Sequence, residues 1–261
     1  MPRTTLYLLL ITTVIAGGIA CLFAADAPTK QQASIERSAT PGPQTTQNYK
    51  ETIARIETQR INFASRYLSA TTADRAAVIA QARTLLTQSI YNDLLPAWYG
   101  TPWDFNGTSE VPQQGKIACG YFVSTIIRDA GWKVERVRLA QQASENIILS
   151  LTTNRHVKRF RRVAISDFVD AVKQSGPGVY IVGLDVHVGF IVNTGDEVYF
   201  IHSSYVDPYT VVQEKAIDSR ILAGSNYRVL GNVLADDQLI SNWLAGKTVS
   251  TKVVSEIRRT N

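Results

Sequence analysis

Cysteine is nearly absent from this chain: Cys21 and Cys119 are the only two among 261 residues. Two thiols cannot build a disulfide framework, so the fold must rest on packing. Only three histidines occur, and neither a His-Glu-x-x-His spacing nor paired cysteines are present, which leaves no metal-ligand pattern. Gly-rich phosphate-cradling loops and internal repeats are missing as well. The surplus of one charge is small. Lys and Arg number 27 against 22 Asp and Glu, a formal +5, far below the density of a dedicated nucleic-acid binder. What the chain does have is apolar substance: 45% hydrophobic and 19% charged residues can bury a core, which excludes disorder, coiled coil and collagen-like repeats. Its length suits one domain of ordinary size with extensions.

A single charge, Arg3, precedes an apolar run from Leu6 to Ala25 that ends in small residues, the layout of an export signal. The run is also long enough to span a bilayer, so residues 1–25 read either as a signal or as an uncleaved membrane anchor. Gly18-Ile19-Ala20-Cys21 is similar to a lipoprotein box in which Cys21 would carry the lipid; Ala24-Ala25-Asp26-Ala27 offers an ordinary signal-peptidase site. Each reading predicts an exported protein of the periplasm or cell envelope, and each removes Cys21 from the soluble domain. Cys119 is then a thiol without an intramolecular partner, either inert and buried or kept for chemistry.

Residues 26–46, rich in Ala, Gln, Ser, Thr and Pro, read as a linker. Tyr49, Ile53, Ile56, Phe63 and Tyr67 recur at helical intervals and predict an amphipathic helix over 48–69. A second helix is expected from Ala73 to Tyr91, started by Thr72 or Asp74 and stopped near Pro96. The two form a helical extension, 47–95, ahead of a catalytic-sized segment, 96–232. There a helix from Cys119 to Ala130 is closed by Gly131. Val179–Leu184, His187–Val192 and Glu197–His202 read as strands, the last two joined by an Asn193-Thr194-Gly195-Asp196 turn. A short helix from Asp236 to Ala245 and a polar tail make up 233–261. A helix followed by an antiparallel sheet predicts an α+β fold.

If the hairpin turn is centred on Thr194-Gly195, His187 lies directly opposite His202, with Cβ atoms about 4.5–5.5 Å apart and imidazoles able to hydrogen-bond. Cys119 falls in the first turn of its helix, where free N–H groups and the helix dipole lower a thiol pKa and receive an oxyanion. A thiol nucleophile needs a histidine to take and return its proton and a third polar group to hold that imidazole. Cys119, His187 and His202 supply these roles in chain order. Asp185, two residues before His187, reads as an aid to the imidazole or as a solvated edge residue.

Four local segments resemble, in order, the NlpC-type family of papain-like cysteine peptidases that cut bacterial cell-wall peptides. Tyr99-Gly100-Thr101-Pro102-Trp103-Asp104 is similar to its Gly-Thr-Pro-Tyr segment, and Ile117-Ala118-Cys119-Gly120-Tyr121-Phe122-Val123 to its nucleophile motif, Asp-Cys-Ser-Gly-Phe-Val. His187-Val188-Gly189-Phe190-Ile191-Val192 is similar to its base motif, and Phe200-Ile201-His202-Ser203-Ser204 to the segment of its third catalytic group. Ala118 and Gly120 depart from the Asp and Ser that flank the family's nucleophile, and Trp103 stands where a tyrosine of the oxyanion site is common.

The resemblance implies an NlpC-like core, with Cys119 as nucleophile, His187 as base and His202 as its orienting group. Gln113, at papain's oxyanion-glutamine offset before Cys119, joins Trp103 and Asp104 as oxyanion or substrate-binding residues. It implies no cofactor, and a peptidoglycan stem peptide as substrate. The alternatives are a non-catalytic envelope-binding module or an acyl or amide transferase on the same scaffold. Asp207 allows a rival Cys-His-Asp set resembling transglutaminase-like enzymes. Residues 133–165 read as a basic insertion in which Arg155, Lys158, Arg159, Arg161 and Arg162 meet an anionic envelope polymer or lipid phosphates, or form a solvated face; His156 reads as a surface residue.

Overall fold

A computed structural model describes residues 46–253. The apolar run with Cys21, residues 26–45 of the linker and residues 254–261 lie outside the described residues. Two helices come first, α1 (Thr46–Ser69) and α2 (Thr72–Gln88). The Thr71 side chain accepts the Asp74 N–H and caps α2. The helical run ends at Ala97, beside Pro96 as expected. After α2 the backbone widens into a π-helical stretch over Ser89–Leu94, and a last turn, α3 (Leu95–Ala97), carries Pro96 in its opening positions, where a missing N–H costs little.

The helix opened by Cys119, α4 (Cys119–Asp129), ends where glycine allows it to: Gly131 takes a φ of 95°. Then follow β1 (Lys133–Val134), α5 (Arg136–Ala140), α6 (Ser144–Leu151), β2 (Val157–Arg161) and α7 (Ile165–Gln174). Four consecutive strands come next, β3 (Gly178–Gly183), β4 (Val188–Asn193), β5 (Val198–Ser203) and β6 (Val211–Lys215). The described chain closes with α8 (Arg220–Gly224), β7 (Tyr227–Gly231), α9 (Asp237–Leu244) and β8 (Thr248–Val249). Among the described residues no helix is long and apolar enough to cross a membrane.

The main sheet runs β2-β7-β3-β4-β5-β6 and is antiparallel throughout, while β1 and β8 form a separate parallel pair. This is an α+β fold. Residues 133–165 are therefore part of its frame, because β2 is an edge strand of that sheet.

Strand parity sorts the core into two layers. Val179, Ile181, Phe190, Val192 and Ile201 point to one face, where they pack with Phe122 and Ile126 of α4 and Leu86 of α2. Their neighbours Tyr180, Val182, Ile191 and Phe200 point to the other, against Phe168 and Val172 of α7 and Leu222 of α8. With both faces covered, every position of β4 is buried and the strand reads as a continuous apolar run. Each such fully buried Val, Ile or Phe contributes roughly 1.5–3 kcal/mol.

The helical segment 47–95 shares the larger of these cores. Tyr49 of α1 donates its hydroxyl to Asp129 Oδ2 at 2.8 Å and accepts Trp98 Nε1–H at 2.9 Å, and Arg128 Nε donates to Asp129 Oδ1 at 2.8 Å. Tyr49→Phe leaves the Trp98 N–H and one Asp129 oxygen without this partner in a buried site, an expected loss of about 1–3 kcal/mol. Urea unfolding should show a lower midpoint with an unchanged slope; an unaltered midpoint would detach α1 from the cooperative unit.

Candidate active site

The β4–β5 hairpin turns on Gly195-Asp196, one residue later than expected. Thr194 N–H donates to Glu197 O at 3.0 Å, Asn193 pairs with Val198, and Phe190 pairs with Ile201. The cause is tertiary. Asn193 is held in the strand by its carboxamide, which donates to Val172 O at 3.1 Å and Gly176 O at 2.8 Å, while Gly195 turns the chain with a φ of 102°. The pairing is displaced by two residues, so His202 falls opposite Gly189 and not opposite His187. An even displacement keeps both histidines on one face. A Cβ on Gly189 would lie 2.8 Å from His202 Cβ and 2.7 Å from Phe200 Cε2. Glycine there leaves the imidazoles room to meet on the diagonal, His187 Nε2 to His202 Nδ1 at 3.0 Å.

Beyond His202 stands a residue that sequence reading missed. His202 Nε2 lies 3.1 Å from Glu214 Oε1 on β6, and Ser219 Oγ donates to the same oxygen at 2.6 Å. Burial opposes the Glu214 carboxylate, but the hydrogen bonds from His202 and Ser219 outweigh it and hold its pKa below the usual value. An ionised carboxylate only accepts, so the network assigns the His202 proton to Nε2 and a lone pair to Nδ1. His187 therefore donates from Nε2 and carries its own lone pair on Nδ1. That nitrogen is buried without a hydrogen-bond partner, on a residue 3% exposed. Burial, reinforced by His202, holds the His187 pKa well below 6.5, and burial lowers His202 too against the pull of Glu214.

Cys119 opens α4, and the backbone N–H groups of Val188, Gly120 and Cys119 itself lie close enough to favour its thiolate. Burial nevertheless pushes the thiol above its usual pKa. This corrects the expectation of a thiol acidified by the helix start: desolvation wins. The sulfur sits against Val188, the residue after His187, and Ser203, the residue after His202, donates its hydroxyl to Ile117 O at 2.7 Å. The neighbours of both histidines thus lie against the start of α4. Thiol and imidazole are not hydrogen-bonded to each other, since His187 Nδ1 has no partner. Gly120 has a steric reason: a Cβ there would lie 2.2 Å from Ala140 O of α5, so serine does not fit.

The remaining expected site residues serve other ends. Gln113 Nε2 donates to Ala97 O at 3.3 Å, and Asp104 accepts the Asn106 N–H at 2.9 Å and Lys116 Nζ at 3.1 Å, bracing its own loop. Neither hydrogen-bonds Cys119. Trp103 reaches the site through Tyr205: their ring centroids are 6.4 Å apart, and Tyr205 meets the His187 ring edge-on at 5.0 Å. Asp185 accepts Asn226 N–H at 2.7 Å and Ser225 Oγ–H at 3.1 Å, which ties down the β3–β4 turn. Asp207 makes no bond to His187; His202 takes that place.

Most of the basic cluster is engaged. Arg155 pairs with Asp236 at 3.0 Å, Arg159 with Glu145 at 2.7 Å, Arg161 lies over Tyr227 at 4.4 Å, and Lys158 donates to Ser175 Oγ at 2.9 Å. His156 accepts from Arg155 Nε at 2.9 Å. Among the described residues no group of three or more His, Cys, Asp or Glu is placed to hold a metal. A cavity of about 760 Å³ opens on the imidazole side of the site, lined by His187, Tyr205 and Glu214 among others. Comparison of the chain with family models, curated proteins and solved structures finds no match.

Two outcomes follow from the proton positions. Nitrogen-resolved NMR at neutral pH should find both site histidines neutral and protonated on Nε2, and Glu214→Gln should weaken that preference; an Nδ1-protonated His187 would break the assignment. Both histidines bind protons less readily folded than unfolded, so stability is complete above the unfolded value of 6.5 and declines as pH falls below it. Urea midpoints measured from neutral pH down to about pH 5 should fall, with a shallower decline in a variant lacking both rings.

Proposed function

We propose that this chain is a thiol hydrolase with a papain-like catalytic arrangement, exported to the cell envelope and acting on amide bonds of peptidoglycan stem peptides. One observation carries the catalytic reading: a buried hydrogen-bonded chain from Glu214 through His202 to His187 ends in a bare Nδ1, next to the residue whose N–H meets the Cys119 sulfur. The substrate class rests on the four family-like segments, and the location on the Leu6–Ala25 run.

The pair is neutral at rest, so His187 works as a general base. Its Nδ1 takes the thiol proton as the sulfur attacks the carbonyl, and the imidazolium that forms is oriented and stabilised by Glu214 through His202. His202 and Glu214 are positioning residues. The oxyanion meets backbone N–H groups at the start of α4. Proton return to the leaving amine yields a thioester, which water then opens.

A second reading is a binding module on the same scaffold, and the missing thiol–imidazole hydrogen bond favours it. Cleavage separates the two. Under either reading iodoacetamide should modify Cys119 only at pH above the ordinary cysteine range, because burial raises the thiol. Cleavage of wall-derived peptides should fall by at least about a thousandfold in Cys119→Ser, with the thermal midpoint nearly unchanged. Glu214→Gln should lower kcat about ten- to a hundredfold with little change in KM. A wild-type protein that binds such peptides and never cuts them is the binding module.

A further inference from the structure

The two edges of the main sheet are finished differently. At the start of β6 the segment 100–103 comes back against the strand: Gly100 N–H donates to Val211 O at 2.9 Å, and Val211 N–H donates to Thr101 O at 2.8 Å. β2, at the opposite edge, pairs with β7 alone. Asn232 N–H donates to His156 O at 3.0 Å and Arg162 N–H to Asn226 O at 2.8 Å, which sets the phase of the ladder, so Lys158 and Phe160 bond to β7. The N–H and C=O groups of Val157, Arg159 and Arg161 therefore point outward, with no hydrogen-bond partner among the described residues. Such an edge is a template for one more strand.

The side chains select which strand fits. Lys158, Arg159, Arg161 and Arg162 are all exposed, and of these Arg159 alone pairs with a carboxylate among the described residues, that of Glu145. Lys158 donates to the neutral Ser175 hydroxyl, and Arg161 lies over the Tyr227 ring. Parity sets Arg161 on one face of β2 and Lys158 on the other, so an incoming strand meets cations on both flanks. A cavity of about 180 Å³ where β2 begins is lined by Arg155, His156 and Lys158 and by no carboxylate, and it has room for one acidic side chain. A second copy of the same edge is disfavoured, because it would set these cations opposite one another.

We infer that the β2 edge binds an acidic polypeptide segment in extended form, which adds to the sheet as one more strand. The backbone of that segment pairs with Val157, Arg159 and Arg161, and its Asp and Glu side chains meet Lys158, Arg161 and Arg162. A polyanion without peptide groups would satisfy the cations and leave the outward N–H and C=O groups unanswered. The site is independent of the thiol chemistry, since β2 and β6 are opposite edges of the sheet.

Fluorescence anisotropy of the full-length protein with a fluorescein-labelled peptide of four Glu-Val repeats tests this. The peptide should bind at least about tenfold more tightly than its Lys-Val counterpart at 0.1 M salt. Arg159→Ala and Arg159→Pro remove the same side chain, but only proline removes the outward N–H, and an edge position tolerates it because no bond to β7 is lost. Arg159→Pro should weaken the Glu-Val peptide at least about tenfold beyond Arg159→Ala. Equal binding by the two variants, or displacement by polyacrylate as effective as displacement by unlabelled peptide, overturns the inference and leaves a surface that reads charge alone.

Lys158→Glu with Arg162→Glu keeps the test open should the proline variant not fold. Both positions are exposed, and the preference should turn toward the Lys-Val peptide; an unchanged preference for Glu-Val overturns the inference. Sedimentation of the protein alone should show no dimer that depends on this edge. A dimer lost in Arg159→Pro and kept in Arg159→Ala would make a second copy the occupant and overturn the assignment of an acidic partner.

Discussion

The hydrogen bond between His202 and Glu214 decides where every proton in the site resides. A carboxylate can only accept, and that single restriction passes from ring to ring: Nε2–H on His202, a lone pair facing His187, Nε2–H on His187, and a lone pair left over at its Nδ1. Turning either ring over would bury an N–H without an acceptor or set two lone pairs face to face, at about 1–3 kcal/mol for each unsatisfied group. His187 is therefore oriented from β6, two strands away from the turn that carries it. Ser219 completes the arrangement by holding the carboxylate from the far side.

Such a chain of rings needs a sheet that holds its register closely, and the packing supplies one. Both faces of β4 are buried, so a slip of one residue would drive Phe190 and Val192 out of one core and Ile191 out of the other. A slip of two would preserve parity but lose the Asn193 carboxamide bonds to the end of α7. The same rigidity reaches Cys119. Ser203 bonds Ile117 O and Val188 faces the sulfur, so α4 begins at a place set by the two strands that carry the histidines.

What the sequence made legible was carried by local pattern, and what it hid was carried by distant contact. The three strands β3, β4 and β5, α4 with its Gly131 stop, and the meeting of the His187 and His202 rings follow from apolar runs, turn residues and parity. The hairpin centre did not, because Thr194-Gly195 and Gly195-Asp196 are equally good turns until Asn193 meets α7. Glu214 left no signal: in Val211-Val212-Gln213-Glu214-Lys215 it reads as the polar end of an edge strand, and only the return of the chain after residues 204–210 brings it to His202. Gln113 and Asp104 were placed by offset and alignment, but loop hydrogen bonds turn them to Ala97 and Lys116. The stop near Pro96 was legible, whereas the π-helical stretch over Ser89–Leu94 ahead of it has no local mark.

The thiol shows why position on a helix and acidity are separate matters. A helix start favours a neighbouring anion by about 0.3–1 kcal/mol, up to about 2 in partly buried geometry, whereas removing a charge from water costs several. At Cys119 burial is the larger effect and the thiol stays protonated. Under the proposed thiol-hydrolase reading, the N–H groups at the start of α4 act chiefly when charge develops, on the attacking sulfur and the carbonyl oxygen, while Glu214 and His202 steady the imidazolium that forms at the same moment. The thiolate is the form that oxidises, so a thiol that burial keeps neutral is also the less oxidisable one.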